Sequence, residues 1–190
     1  SHHPRSPYAV SKSFAHHTAV NYRESYGMFV AAAILFNHES PLRPESFVTR
    51  KISAGAAAIA LGRQETLTLG RLDVRRDWGA SADYVRAMHA ILQHDRPETY
   101  NVATGTSHSL DDFLHAAFSA AGVPDYRDRI QSDPALLRPA DVPETRGDAS
   151  KAQAELGWRP TQTFEQIVDA MVAADLTRLS TGVEHSTAYL

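Results

Sequence analysis

The run from Phe29 to Phe36, "FVAAAILF", constrains this chain more than any other stretch. It is apolar throughout, with no polar alternation, which predicts a strand covered on both faces. It is too short to span a bilayer. Before it, Ser6-Pro7 offers a helix cap and first residue, and Gly27 offers a stop, so a helix is expected to run to about Tyr26. Val10, Phe14, Ala15, Ala19 and Tyr22 mark its expected buried stripe. A helix feeding at once into a buried strand predicts an α/β layer architecture. After the run, "NHESPLRPE" reads as a polar loop at the carboxyl end of the strand, where open α/β sheets bind ligands.

Further elements follow the same logic. Ser46 is expected to cap a helix through "FVTRKISAGAAAIALG", ending at Gly62. A short strand is expected near Thr66–Leu69. "GRLDVRRDWGASADYV" reads as a loop entering a helix with Tyr84, Val85, Met88, Ile91 and Leu92 inward. "TYNVATG" reads as another buried strand. Ser109 with Asp112 forms a capping box for a helix stopped by Gly122. Residues Val123 to Gly147 read mostly as loop, with a short strand in "ALLRPADV". Asp148 is expected to cap a short helix ending at Gly157, and Thr163 with Gln166 to cap a last helix through about Leu179.

Composition narrows the class of protein. The chain has 190 residues, 43% hydrophobic and 22% charged, which suits a soluble globular fold. The net charge is −3 without charge blocks, so neither a nucleic-acid surface nor a membrane partner is expected. There is no cysteine, which excludes disulfides and thiolate metal sites. His16-His17 and the other histidines lack ligand spacing, so no metal is expected. The initial Ser-His-His reads as a tag remnant and is set aside.

Tyr8 and Lys12 are four residues apart and share a helix face. An ammonium beside a phenol favours the phenolate, which suits a Tyr to acid–base work. The spacing alone is too short to be specific and favours a surface Tyr packed on a Lys stem; the adjoining strand-end loop, with Asn37, His38, Glu39 and Arg43, raises the catalytic reading. Arg50, Lys51, Arg75, Arg76 and Arg138 fall in or beside loops. They read either as solvated charge or as a diphosphate clamp. No nucleophile elbow, P-loop or glycine-rich dinucleotide fingerprint occurs in the 190 residues.

Several stretches together resemble the GDP-mannose 4,6-dehydratase family of the extended short-chain dehydrogenase/reductase superfamily. They are "PRSPYAVSK", "YGMFVAAAILFNHESPLRPESFVTRKI", "LGRLDVRRDWG", "DYV", "YNVATG" and "RPADV…GDASKAQAELGW", in order from about Pro4 to about Phe164. The resemblance is to the family's C-terminal part. It implies an α/β fold holding the last strands and helices of a Rossmann-type parallel sheet plus a small α/β substrate-binding lobe. It implies Tyr8 as catalytic base and Lys12 as the residue that lowers its pKa and bonds the nicotinamide ribose. It further implies His38 and Arg43 on an NADP cofactor, Asn37 by the sugar nucleotide, and Lys51 and Arg76 at the GDP end. Arg138 would meet a phosphate and Asp141 a ribose. The partners implied are GDP-mannose and further copies of the chain, in the cytoplasm.

The chain departs from that pattern in places. Ala80 and Ala82 stand where a His and a basic residue are usual, Pro44 where a Gly is usual, and "VPETRGD" is more polar than the usual run. The family's early glycine-rich loop and its Ser/Thr-x-Glu segment are not among these residues. Residues 4–190 are therefore expected to be a fragment, a truncated form or one half of a split protein, without dehydratase activity alone. A related GDP-sugar reductase or sugar-nucleotide epimerase is the alternative within the superfamily. A non-catalytic GDP-sugar-binding or partner-binding piece is the alternative outside it.

Overall fold

Local signals set most helix ends in the computed structural model, which describes residues 3–136 and 142–189. Helix α1 (Pro7–Tyr26) opens on Ser6, whose Oγ accepts from the Ala9 amide, and closes on Gly27 in the left-handed region at φ 62°. The expected stop is therefore in place, and a Cβ there would be strained. Strands β1 (Ala32–Leu35) and β2 (Asn37–Glu39) follow. After them come α2 (Val48–Ala60), β3 (Leu67–Leu69), β4 (Arg75–Arg76), β5 (Trp78–Ala80) and α3 (Ser81–Gln93). The remainder is β6 (Thr99–Val102), β7 (His108–Ser109), α4 (Leu110–Ala120), β8 (Ile130–Ser132), β9 (Glu144–Thr145), α5 (Ser150–Leu156) and α6 (Phe164–Thr181). The capping boxes Ser109/Asp112 and Thr163/Gln166 are both formed. Arg138, Asp141 and the strand expected in "ALLRPADV" lie in or across residues outside those described.

The strand pairing makes two bodies. In the Rossmann-type part, β1 pairs in parallel with β6, and at Phe36 the chain changes partner, so that β2 pairs in parallel with β5. The smaller lobe holds the parallel pair β3/β8 and a sheet in which β4 lies between β7 and β9. Helices α2, α4 and α6 pack on one another around Trp78, Phe113, Phe118, Phe164 and Met171. The other core gathers Tyr84, Tyr100 and Trp158 where α3, β6 and α5 meet. Two buried carboxylates lock loops onto these bodies. Asp77 accepts from the amides of Thr104, Gly105 and Gly147 at 2.8, 2.9 and 3.1 Å. Asp83 accepts from the amides of Thr161 and Gln162 at 2.8 and 3.2 Å. Burial would raise the Asp83 carboxyl, but the Thr161 and Gln162 donors and Arg86 outweigh it and hold it below the ordinary aspartate range.

Five expectations need correction. Nothing on α1 is buried, and Phe14 is 72% exposed: the helix is specified by its caps while no described element covers its apolar side. Strand β1 is only half covered, with Ala33 and Ile34 exposed, because its described pairing and packing reach only one part of its surface. The "NHE" triplet is strand rather than loop, since β5 offers it a partner. On α3 the buried stripe is Tyr84, Ala87 and Ile91, at helical spacing, which turns Val85, Met88 and Leu92 outward. Finally, Ser46 and Asp148 do not cap their helices. Phe47 occupies the first position, its ring under the Arg43 guanidinium at 3.7 Å, and Ala149 the second. Asp148 instead accepts from the Ser150 amide across a turn.

Candidate active site

One cleft of about 960 Å³ lies between the two bodies. It is lined by Tyr8 from α1, Asn37 and His38 from β2, Arg43 from the following loop, Lys51 from α2 and Arg76 from β4. The cleft opens where the chain changes partner at Phe36, between the β1/β6 pair and the β2/β5 pair, and the smaller lobe faces that point with Arg76. Six residues spread over 69 positions (Tyr8 through Arg76) thus line one cleft. Lys12 does not line the cleft but lies one turn along α1, its Nζ 5.4 Å from the centre of the Tyr8 ring.

His38 is held from two sides. Its Nδ1 lies 2.9 Å from the Phe36 carbonyl, and its ring packs on Tyr84 at 5.1 Å. A carbonyl only accepts, so in the neutral ring Nδ1 carries the proton and Nε2 keeps the lone pair. Tyr84 is itself buried, and Gly79 faces its ring so closely that a side chain there would overlap it. Burial first, then Asp77, Asp83 and Glu39, raise the Tyr84 phenol far above its ordinary value, so it stays neutral.

Glu39 stands in the strand-end motif but has no role assigned from the sequence. It is 2% exposed yet lines the cleft. Its Oε2 accepts from Thr49 Oγ1 at 2.9 Å and lies 3.2 Å from Arg43 Nε. The Arg43 contact is an ion pair by distance but is off the line of a hydrogen bond. Burial pushes the carboxyl up to about 7, and Arg43 and Thr49 only partly offset it. The four-residue Glu39–Arg43 spacing was the available signal, but burial, which decides the protonation state, is invisible locally.

The basic residues divide. Lys51 and Arg76 face the cleft, and Arg76 Nη1 donates to the carbonyls of Arg75 and Val142, both at 2.8 Å. Arg75 is tied to Ser107, and Arg50 is buried against Asp175, so neither fits a diphosphate clamp. Among the described residues the cleft is walled by Arg43, Lys51, Arg71 and Arg76 against the one carboxyl of Glu39. That donor set suits an anion such as a diphosphate, because guanidinium and ammonium groups both bond phosphate oxygens.

A split α/β fold with a cationic cleft at the carboxyl end of its parallel strands, and a Tyr-x-x-x-Lys helix beside it, is that of the short-chain dehydrogenase/reductase enzymes. Solved structures agree. RMD from Pseudomonas aeruginosa, complexed with NADPH, superposes with a TM-score of 0.83 at 29% identity, covering 93% of this chain and 57% of that one. The UDP-glucose 4-epimerase of Thermus thermophilus, complexed with NAD, superposes with a TM-score of 0.76 at 27% identity, covering 91% and 55%. The GDP-mannose 4,6 dehydratase family matches residues 1–171, and the chain belongs to that family. GDP-mannose 4,6 dehydratase 2 of Arabidopsis thaliana is 49% identical over 174 residues, covering 92% of this chain and 46% of the relative. The Sinorhizobium fredii GDP-mannose 4,6-dehydratase is 45% identical over 193 residues, covering 93% and 55%. The chain therefore spans about half the length of the curated relatives it matches. No helix among the described residues is long and apolar enough to cross a membrane.

Proposed function

We propose that this chain supplies the substrate lobe and the Tyr–Lys half of an NADP-dependent GDP-mannose 4,6-dehydratase. The observation that carries this reading is the single cleft shared by Tyr8, Asn37, His38, Arg43, Lys51 and Arg76. In the proposed reaction the C4 hydroxyl of the mannose is oxidised to a ketone and Tyr8 takes the O4 proton. The ketone acidifies C5; its proton and the C6 hydroxyl leave as water; C6 is then reduced and C5 reprotonated. The product is GDP-4-keto-6-deoxymannose. The nicotinamide, when bound, supplies the reversible hydride transfer that makes the cycle redox-neutral.

The chain's own residues would bind and orient. Lys12, beside the Tyr8 ring, would meet the nicotinamide ribose while Tyr8 handles the proton. His38 Nε2 and the Arg43 guanidinium would hold the cofactor. Lys51 and Arg76 would take the GDP diphosphate and Asn37 the sugar, with Arg138 and Asp141 completing the nucleotide contacts. The glycine-rich cofactor loop and a carboxylate for the C5 proton would come from outside residues 4–190. A cytoplasmic homo-oligomer is the setting we propose. The 49% identity to a dehydratase, against 27% to an epimerase, favours this reading over epimerisation.

The test uses GDP-mannose deuterated at C4 and the complete enzyme containing this chain. Mass spectrometry should find loss of one water with the label moved to C6, and Tyr8→Phe should abolish it. Label returned to C4 without water loss would make the enzyme an epimerase and overturn the reading.

A further inference from the structure

The loop 40–47 carries Arg43 into the cleft but forms no strand of its own. Two backbone bonds close its own turns, Arg43 amide to Ser40 carbonyl and Phe47 amide to Pro44 carbonyl, both 3.0 Å, and its Phe47 carbonyl accepts from the Lys51 amide of α2 at 2.9 Å. Two further carbonyls, those of Pro41 and Arg43, are held by two buried guanidiniums from elsewhere. Arg50 Nη1 donates to the carbonyls of Pro41 and Arg43, at 3.2 and 2.9 Å. Arg178 Nη2 donates to the Pro41 carbonyl at 2.6 Å. The backbone of Arg43 is thus clamped while its side chain lines the cleft.

Asp175 aims both guanidiniums. Its Oδ2 accepts from Arg50 Nε at 3.0 Å and from Ser53 Oγ at 2.6 Å, and its Oδ1 accepts from Arg178 Nη1 at 2.9 Å. Arg178 is fixed further by Nε donating to the Glu184 carbonyl at 2.9 Å and by the Tyr189 ring 4.3 Å beneath it. Asp175, Arg50 and Arg178 are all buried, so these bonds are made without competing water. Glu45 and Glu184 carboxylates lie 3.7 Å from Arg50 but are exposed and add little.

We propose that Asp175 and Arg178 are positioning residues for the cleft: from the end of α6 they latch loop 40–47 and thereby aim Arg43. The ligand consequence rests on the cleft binding a nucleotide, as proposed above; the latch itself does not. Arg178→Lys keeps the charge but one ammonium cannot serve Asp175, Pro41 and Glu184 together. Asp175→Asn leaves the packing and removes the shared charge.

The experiment is amide hydrogen exchange on the 190-residue chain and both variants, followed by calorimetric titration with GDP and with NADPH. Exchange at the Arg43 and Phe47 amides should accelerate about tenfold, as expected for losing a charge-assisted bond, while Leu114 and Ala117 in α4 keep the wild-type rate. Any nucleotide affinity of the wild type should weaken about tenfold in Arg178→Lys. Unchanged exchange at Arg43 and Phe47, or equal acceleration in α4, would overturn the latch; so would failure of both variants to fold, which would assign the triad to the core. If the wild type binds neither nucleotide, the cleft reading fails for this chain while the exchange result still decides the latch.

Discussion

Replacing Glu39 by Gln should make the stability of this chain less dependent on pH, in a calculable direction. The carboxyl is 2% exposed, and burial outweighs Arg43 and Thr49, taking its pKa from 4.5 to about 7. Between those values the folded chain keeps a proton that the unfolded chain has released. The contribution is therefore complete below about pH 4.5 and is lost as pH rises through about 7. At about 1.36 kcal/mol per tenfold the full effect is about 3 kcal/mol, of which about 2.5 falls between about pH 5 and about pH 8. Gln mimics the protonated acid and cannot ionise. Urea denaturation of both proteins across that range should show wild type losing about 2.5 kcal/mol relative to Glu39→Gln. Taking the difference cancels the other titrating groups, provided that they do not couple to this site. Carbon-13 titration of the Glu39 carboxyl should give a midpoint near 7. Parallel stability curves, or a wild type that gains on the variant as pH rises, would refute the burial argument.

Other expectations follow from single contacts. Gly79→Ala should cost about 1–3 kcal/mol in denaturation, because the new Cβ overlaps the buried Tyr84 ring. Asp77→Ala should cost about 3–5 kcal/mol, since it strands the amides of Thr104, Gly105 and Gly147; thermal unfolding reads the loss. Ser109→Ala should cost about 1 kcal/mol by removing one half of the α4 capping box. Tyr8→Phe should leave stability within about 0.5 kcal/mol, because the ring is 70% exposed, while lowering turnover of the complete enzyme by about a hundredfold or more.

Much of the fold was legible where one stretch of chain contains all the interacting parts. Ser6, Pro7 and Gly27 bracket α1, and the two capping boxes announce α4 and α6, because the bonds they make span three residues. The candidate site came from the family resemblance rather than from local bonds, and the structure shows that Tyr8, Asn37, His38, Arg43, Lys51 and Arg76 line one cleft. Burial was less legible. The stripe assigned to α1 is bare and that assigned to α3 is rotated, since which side of a helix meets a neighbour depends on where the neighbour lies.

Arg50 and Lys51 are adjacent, and nothing in their immediate sequence separates their roles. A helix turns about 100° between successive residues, so Lys51 faces the cleft while Arg50 enters the lobe. There Arg50 meets Asp175, 125 residues away. The protonation of Glu39 was likewise decided by how much water its carboxyl loses. Read alone, the amino-acid order set the bracketing of α1, α4 and α6, the shared Tyr–Lys face and the family. Which charges face the cleft, which are spent inside and which carboxyl stays protonated depended on the folded packing, because electrostatic energy depends on distance and dielectric, and both are set by residues remote along the chain.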